Sequence, residues 1–204
     1  MSEAEDLSKF AAPEPQLWLP GQDLPDFVVE PEAYFLAAHN SGFEYAIWHE
    51  CMKWPVAPID LWIDSMAMTC SWGFPRALGQ AAEAIGLPPD KSKDKRGKQL
   101  IQQLSRPVRG KRNRDPELLE EMYLYCVQDV VTQMAIRDYF PISVWNMFSN
   151  KKIVDFDYET YSECDLKNTG LGPYARHPST EVLCMAYCVR EYNALEKRWV
   201  QVEY

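Results

Sequence analysis

The sequence predicts an α/β fold with a mixed central sheet flanked by helices, and three features of the 204-residue chain predict it. Compact apolar runs of strand length stand in the first half. One long segment, 115–140, repeats at the helical period. Beyond residue 152 the pattern changes to the two-residue alternation of strands. With 47% hydrophobic and 13% aromatic residues the chain can bury a sizeable core, and its length fits one domain, or one domain with an appendage. No apolar run approaches the roughly 18 to 20 residues of a bilayer span, so a membrane protein is excluded. The acidic start, MSEAEDLSKF, lacks the basic-then-apolar pattern of a signal peptide, and the expected compartment is a cytoplasm.

Taken in order, residues 1–15 are rich in Glu, Ala and Pro and read as a loose tail. QLWLPG (16–21) is a short strand ended by Pro20 and Gly21, and AYFLAAHN (33–40) a buried one. Ser41 opens a helix that Pro55 closes. IDLWI (59–63) is a further strand, with Asp64 or Ser65 capping the helix behind it. Pro75 occupies a first helical position ahead of RALGQAAEAIGL. The longest helix runs from Asp115, its cap, to about Phe140. Residues 141–152 connect it to KIVDFDYETYS (152–162), VLCMAYCVR (182–190) and KRWVQVEY (197–204), a three-stranded antiparallel unit.

The formal charge of −9 argues against coating nucleic acid through bulk charge, but the distribution is uneven. Residues 91–114 hold ten Lys or Arg against one Asp, which leaves −18 on the remainder. A basic strip on an acidic body suits a site that guides a polyanion toward clustered carboxylates; it equally suits a solvated loop. The six cysteines show no zinc-ligand spacing and read as reduced, mostly buried small apolar residues.

Three sets of residues can carry chemistry. Alternation from Ile153 puts Asp155, Asp157 and Glu159 on one strand face. Three acids so placed repel unless a cation or water intervenes, so they mark either a Mg²⁺ or Mn²⁺ site or an edge strand with a solvated acidic face. Tyr125 and Asp129 stand one helical turn apart and either aim at one point or are a core Tyr and a surface Asp. Ser41-Gly42-Phe43-Glu44 matches a capping box, which gives Glu44 a structural role unless the preceding His39-Asn40 and the other acids converge on it.

Together these pieces resemble the DEDD 3′-to-5′ exonuclease family, in its tyrosine-bearing branch, close to the exonuclease regions of phage family A DNA polymerases. Asp157-Tyr158-Glu159-Thr160 is similar to the first family motif, His39-Asn40-Ser41-Gly42-Phe43-Glu44 to the second, and Tyr125 with Asp129 to the third. The text at 62–66, 74–87 and 163–187 also resembles that family. The motif order here is second, third, first. The resemblance therefore implies a ribonuclease H-like exonuclease fold, circularly permuted so that the first strands are C-terminal. QLWLPG and KRWVQVEY both resemble the third strand, so one is expected to lie beside the other as a duplicate. On this reading 16–204 is a single exonuclease domain: 16–140 with the second and third motifs, the connector 141–152, and 153–204 with the first motif and the meander.

The resemblance implies two-metal hydrolysis of the 3′-terminal phosphodiester of single-stranded DNA or a frayed 3′ end, with two Mg²⁺ or Mn²⁺ ions. It implies Asp157 as bridging ligand, Glu159 and Asp129 as further ligands to the ion of the attacking water, and Glu44 as ligand to the other. Tyr125 would orient the water. His39, Asn40, Phe43 and Thr160 would hold the terminal nucleotide, the basic strip, through Lys93, Lys95 and Lys98, the upstream backbone, and Asp155, outside the motif, would either stand behind the ligands or be exposed. Glu44 departs from the Asp more often found in the family. The implied setting is phage DNA replication or proofreading in a host cytoplasm, beside a separate DNA polymerase or single-strand binding protein. The alternatives are an exoribonuclease and a non-catalytic module that binds DNA or a replication partner.

Overall fold

The computed structural model describes residues 14–87, 96–140, 151–193 and 198–202. Most of the expected tail and connector, together with Lys93 and Lys95, lie outside the described residues. The strands are β1 (Gln16–Trp18), β2 (Tyr34–Ala38), β3 (Trp62–Asp64), β4 (Lys152–Tyr161), β5 (Glu181–Asn193) and β6 (Arg198–Gln201). They form one sheet in the order β1-β5-β4-β2-β3, with β6 also on β5. β2 runs parallel to β3 and β4, whereas β5 is antiparallel to β4, β1 and β6. The sheet is mixed, as expected, and draws on both ends of the sequence.

β6 and β1 do not lie side by side. Both pair with the same edge of β5 in the same direction, β6 against Arg190 to Asn193 and β1 against Met185 to Tyr187. The Gln201 side-chain amide bridges the junction. It accepts from the Glu14 N–H at 2.8 Å and donates to the Glu14 carbonyl at 2.9 Å. The two terminal segments thus share one strand position, half each, in place of the expected duplicate.

Helices cover both faces. On one face Val154, Phe156 and Tyr158 of β4 meet Trp18, Phe27, Trp48 and Trp54. Trp48 and Trp54 pack edge to face at 5.1 Å between ring centres, the arrangement that ring quadrupoles favour. Trp48 sits on the helix expected after Ser41, which starts as α2 (Gly42–Ala46) and widens into a π-helical turn over Ile47–Cys51, where the Met52 N–H reaches the Ile47 carbonyl. On the other face lies the long helix, α6 (Pro116–Tyr139). Its Asp115 cap accepts from the Glu117 and Leu118 N–H groups. Cys126, Val130 and Met134 of α6 pack on Cys184, Ala186 and Cys188 of β5, small side chains that let the helix lie close.

The remaining helices are α1 (Asp26–Val29), α3 (Ser65–Ser71), α4 (Leu78–Ala84), α5 (Gly97–Leu104), α7 (Leu166–Thr169) and α8 (Leu171–Arg176). Asp64 caps α3 as expected, accepting from the Met66 and Ala67 N–H groups. α4 starts at Leu78, later than Pro75 predicts, because Ala77 is extended. α5 was hidden in the basic strip. No helix among the described residues is long and apolar enough to cross a membrane.

Candidate functional site

Strand alternation does place Asp155, Asp157 and Glu159 on one face, but β4 is central, between β5 and β2, and α6 covers that face. The solvated-edge reading is therefore wrong. Asp155 is not exposed either; it is 0% accessible. Arg137 grips it through Nε at 3.0 Å and Nη2 at 2.5 Å, and Arg190 adds a contact at 3.1 Å. Burial alone would raise the Asp155 pKa, but the Arg137 and Arg190 charges and hydrogen bonds from Arg137 and Gln133 outweigh it and hold it below the ordinary value. Its charge is matched, which removes it from the metal-ligand set.

The next two acids are in a different environment. Each of Asp129, Asp157 and Glu159 offers a carboxylate oxygen, and the three oxygens lie within 4.8 Å of one another. Asp129 comes from α6, the other two from β4. Asp129 and Glu159 are buried, and Asp157 is half-buried. An all-oxygen group of this size is the donor set that hard divalent cations prefer, so these residues can hold a metal ion.

Glu44 stands at the first turn of α2. The chain reaches it through Asn40, whose left-handed backbone (φ 77°) Asn tolerates well and whose N–H donates to Asp64 Oδ1 at 3.1 Å. The expected capping box is absent: Ser41 makes no side-chain cap bond and the Glu44 carboxylate turns to its own N–H. Glu44 is 3% exposed, and its Oε2 has no hydrogen-bond partner among the described residues. Burial first, and then the Asp157 charge, push its carboxyl well above the ordinary carboxylate range, opposed by that N–H. Glu44 lies outside the group of three acids whose oxygens come within 4.8 Å of one another, but its carboxyl is buried and near enough for the Asp157 charge to act on it.

Tyr125 is buried beside the trio. Burial, then the Asp129, Glu159 and Asp157 charges, drive its pKa far up. It stays a phenol, a donor and not a base. Two further residues went unread in the sequence. Gly97, the first residue of α5, lies so close over the Tyr125 ring that any Cβ there would overlap Cε2 and Cζ. The Cys126 thiol donates to the Asp157 carbonyl at 3.4 Å and stands 3.9 Å from its Oδ2. The readable signals were a glycine at a helix start inside a charged strip, and a cysteine three residues before Asp129.

Of the four residues expected to hold a nucleotide, His39 and Asn40 follow β2, and Phe43 and Thr160 both meet Tyr174. His39 is half-buried with both ring nitrogens engaged, Nδ1 with Ser65 Oγ at 3.1 Å and Nε2 with the Arg76 carbonyl at 2.7 Å, so it braces β2 against α3. Thr160 is 5% exposed, its hydroxyl held by the Tyr174 hydroxyl at 2.8 Å. Phe43 packs its ring 6.1 Å from that of Tyr174, and Asn40 is exposed. A cleft of about 620 Å³ opens instead between α5 and the segment 162–167, with Tyr125 and Tyr174 in its lining. No protein-family model, curated protein or solved structure matches the chain.

Proposed function

We propose that the chain is a metal-dependent 3′-to-5′ exonuclease of the tyrosine-bearing DEDD type, acting on single-stranded DNA. On this reading the sheet is a ribonuclease H-like one entered at a permuted point. The observation that carries the reading is the approach of Asp129 to Asp157 and Glu159 within 4.8 Å, although 28 positions separate the first two and α6 and β4 contribute them separately. Glu44, whose carboxyl feels the Asp157 charge, completes the four acids.

Asp157, Glu159, Asp129 and Glu44 would hold Mg²⁺ or Mn²⁺, and bound ions would stabilise the attacking and leaving oxygens of an in-line displacement. The Tyr125 phenol, kept protonated by burial and then by its carboxylate neighbours, is suited to orient a water or a phosphate oxygen by donation. Cys126 holds the Asp157 backbone and so fixes the direction of its carboxylate. The cleft beside Tyr125 falls within the roughly 300 to 1,000 Å³ of small-molecule pockets and can take a terminal nucleotide.

Single-stranded DNA labelled at its 5′ end, incubated with the protein and Mg²⁺ or Mn²⁺, is expected to shorten by single nucleotides and to stay intact in EDTA. Asp157→Ala should abolish shortening with an unchanged circular dichroism spectrum. Tyr125→Phe should lower kcat roughly 10²-fold or more with KM little changed. A wild-type protein inert with both ions, or an active Asp157→Ala variant, would end the proposal.

A further inference from the structure

The carboxylate pocket has a positively charged border on one side. Between Arg96 and Arg114 the chain carries seven Lys or Arg and no Asp or Glu. Arg96 pairs with Glu121 at 2.8 Å, and Arg112 lies 4.7 Å over the Tyr161 ring and pairs with Glu181. Lys98, Arg106, Arg109, Lys111 and Arg114 are exposed and make no ion pair among the described residues.

These cations are held in place. Val108 and Lys111 exchange backbone hydrogen bonds at 2.8 and 3.1 Å, closing a two-residue turn with Arg109 at φ 51° and Gly110 at φ 72°. Such a turn favours Asn or Gly at its first position, so the Arg109 side chain is displayed at a backbone conformation it does not prefer. Arg112 pins the turn to β4 and β5, and the Ser162 N–H donates to the Ser105 carbonyl at 3.2 Å. Lys98 and Arg106 line the cleft and the turn begins at its rim, while Glu163 and Asp165 occupy the opposite wall. Arg112 joins this border to the β5 side of β4, whereas Asn40 and Glu44 follow β2, on the other side of β4.

Resting on the nuclease reading, we propose that the 106–111 turn and the α5 wall form a docking surface for the phosphodiester backbone of the single strand whose end occupies the carboxylate pocket. A cleft bordered by cations that carry no carboxylate partner is the chemistry by which a single-strand backbone is tracked without reading sequence. Arg106, Arg109 and Lys111 thus join Lys98 in the backbone role expected of the strip, while Lys93 and Lys95 lie outside the described residues.

The test is binding of fluorescein-labelled oligothymidylate in EDTA, where no turnover occurs, across a series of salt concentrations. The combined Arg106→Gln, Arg109→Gln and Lys111→Gln variant should bind more than tenfold more weakly at low salt. Its plot of log affinity against log salt should flatten by about two, at roughly 0.7 for each phosphate that is no longer neutralised. Lys53→Gln, at an exposed cation just past the π-helical turn and not among the cleft-lining residues, should change neither. An unchanged slope in the triple variant would overturn the docking surface and hand it to an acidic protein partner; equal weakening in Lys53→Gln would reduce the effect to bulk charge and overturn it too. Nuclease failure is read separately, as wild-type protein that binds but does not shorten DNA.

Discussion

At the scale of single residues, Glu44 carries the clearest measurable consequence. Its folded-state pKa is raised, by burial first and by Asp157 next. Above the unfolded value of about 4.3 the unfolded chain therefore releases a proton that the folded chain retains, and stability falls as pH rises through that window. Glu44→Gln should accordingly raise the melting temperature of the metal-free protein at pH 7 and do little at pH 4, as read by scanning fluorimetry in EDTA. Mg²⁺ or Mn²⁺ should stabilise the wild type, by about 2.7 kcal/mol at a hundred times Kd, and the Gln variant much less. A variant that melts lower without metal would show that the carboxyl is a structural contact. Glu44 was legible in the sequence as an acid behind His39-Asn40, but its burial was not, because a capping box and a buried ligand look alike in letters.

Elements explain which parts of the site could be read. The α6 spacing and the β4 alternation are both local rules, so Tyr125, Asp129, Asp157 and Glu159 were placed on the right faces before any contact was known. What covers a face is a long-range matter. That β4 is central and roofed by α6 follows from pairing with β2 and β5, which no local pattern reports. α5 was missed because it starts with Gly97, Lys98 and Gln99 inside a charged strip and buries only Gly97, Leu100 and Leu104. Its packing on Tyr125 gives a prediction with an unusual sign. Gly to Ala in a helix ordinarily stabilises by about 0.5 to 1 kcal/mol. Gly97→Ala should instead destabilise by about 1 to 3 kcal/mol in urea unfolding, since Tyr125 must move, and nuclease rate should fall with it. A stabilised, fully active variant would remove α5 from the site.

At the scale of the whole molecule, residues of the first and last stretches meet under α6. Arg137 and Asp138 come from that helix, Asp155 and Arg190 from β4 and β5. Arg190 spans Asp155 at 3.1 Å and Asp138 at 2.6 Å. Asp155→Asn would take the carboxylate away from buried Arg137 while Arg190 keeps Asp138, and breaking a buried pair usually costs about 3 to 5 kcal/mol. Because the Asp155 pKa is lowered on folding, its contribution is present above the unfolded value of about 3.9 and lost as pH falls below it. The variant should melt lower at pH 7, and its melting temperature should decline less steeply than wild type below pH 4. Parallel curves would mean that Asp155 is not the acid-sensitive lock. The sequence showed two blocks that belong together but not this joint, since each member looks like a surface charge.

The strand position shared by β6 and β1 is sealed where Glu14 meets Gln201 through backbone and amide. Two segments made at opposite times of translation therefore complete one edge of β5, and that edge closes only after the later of them has been synthesised.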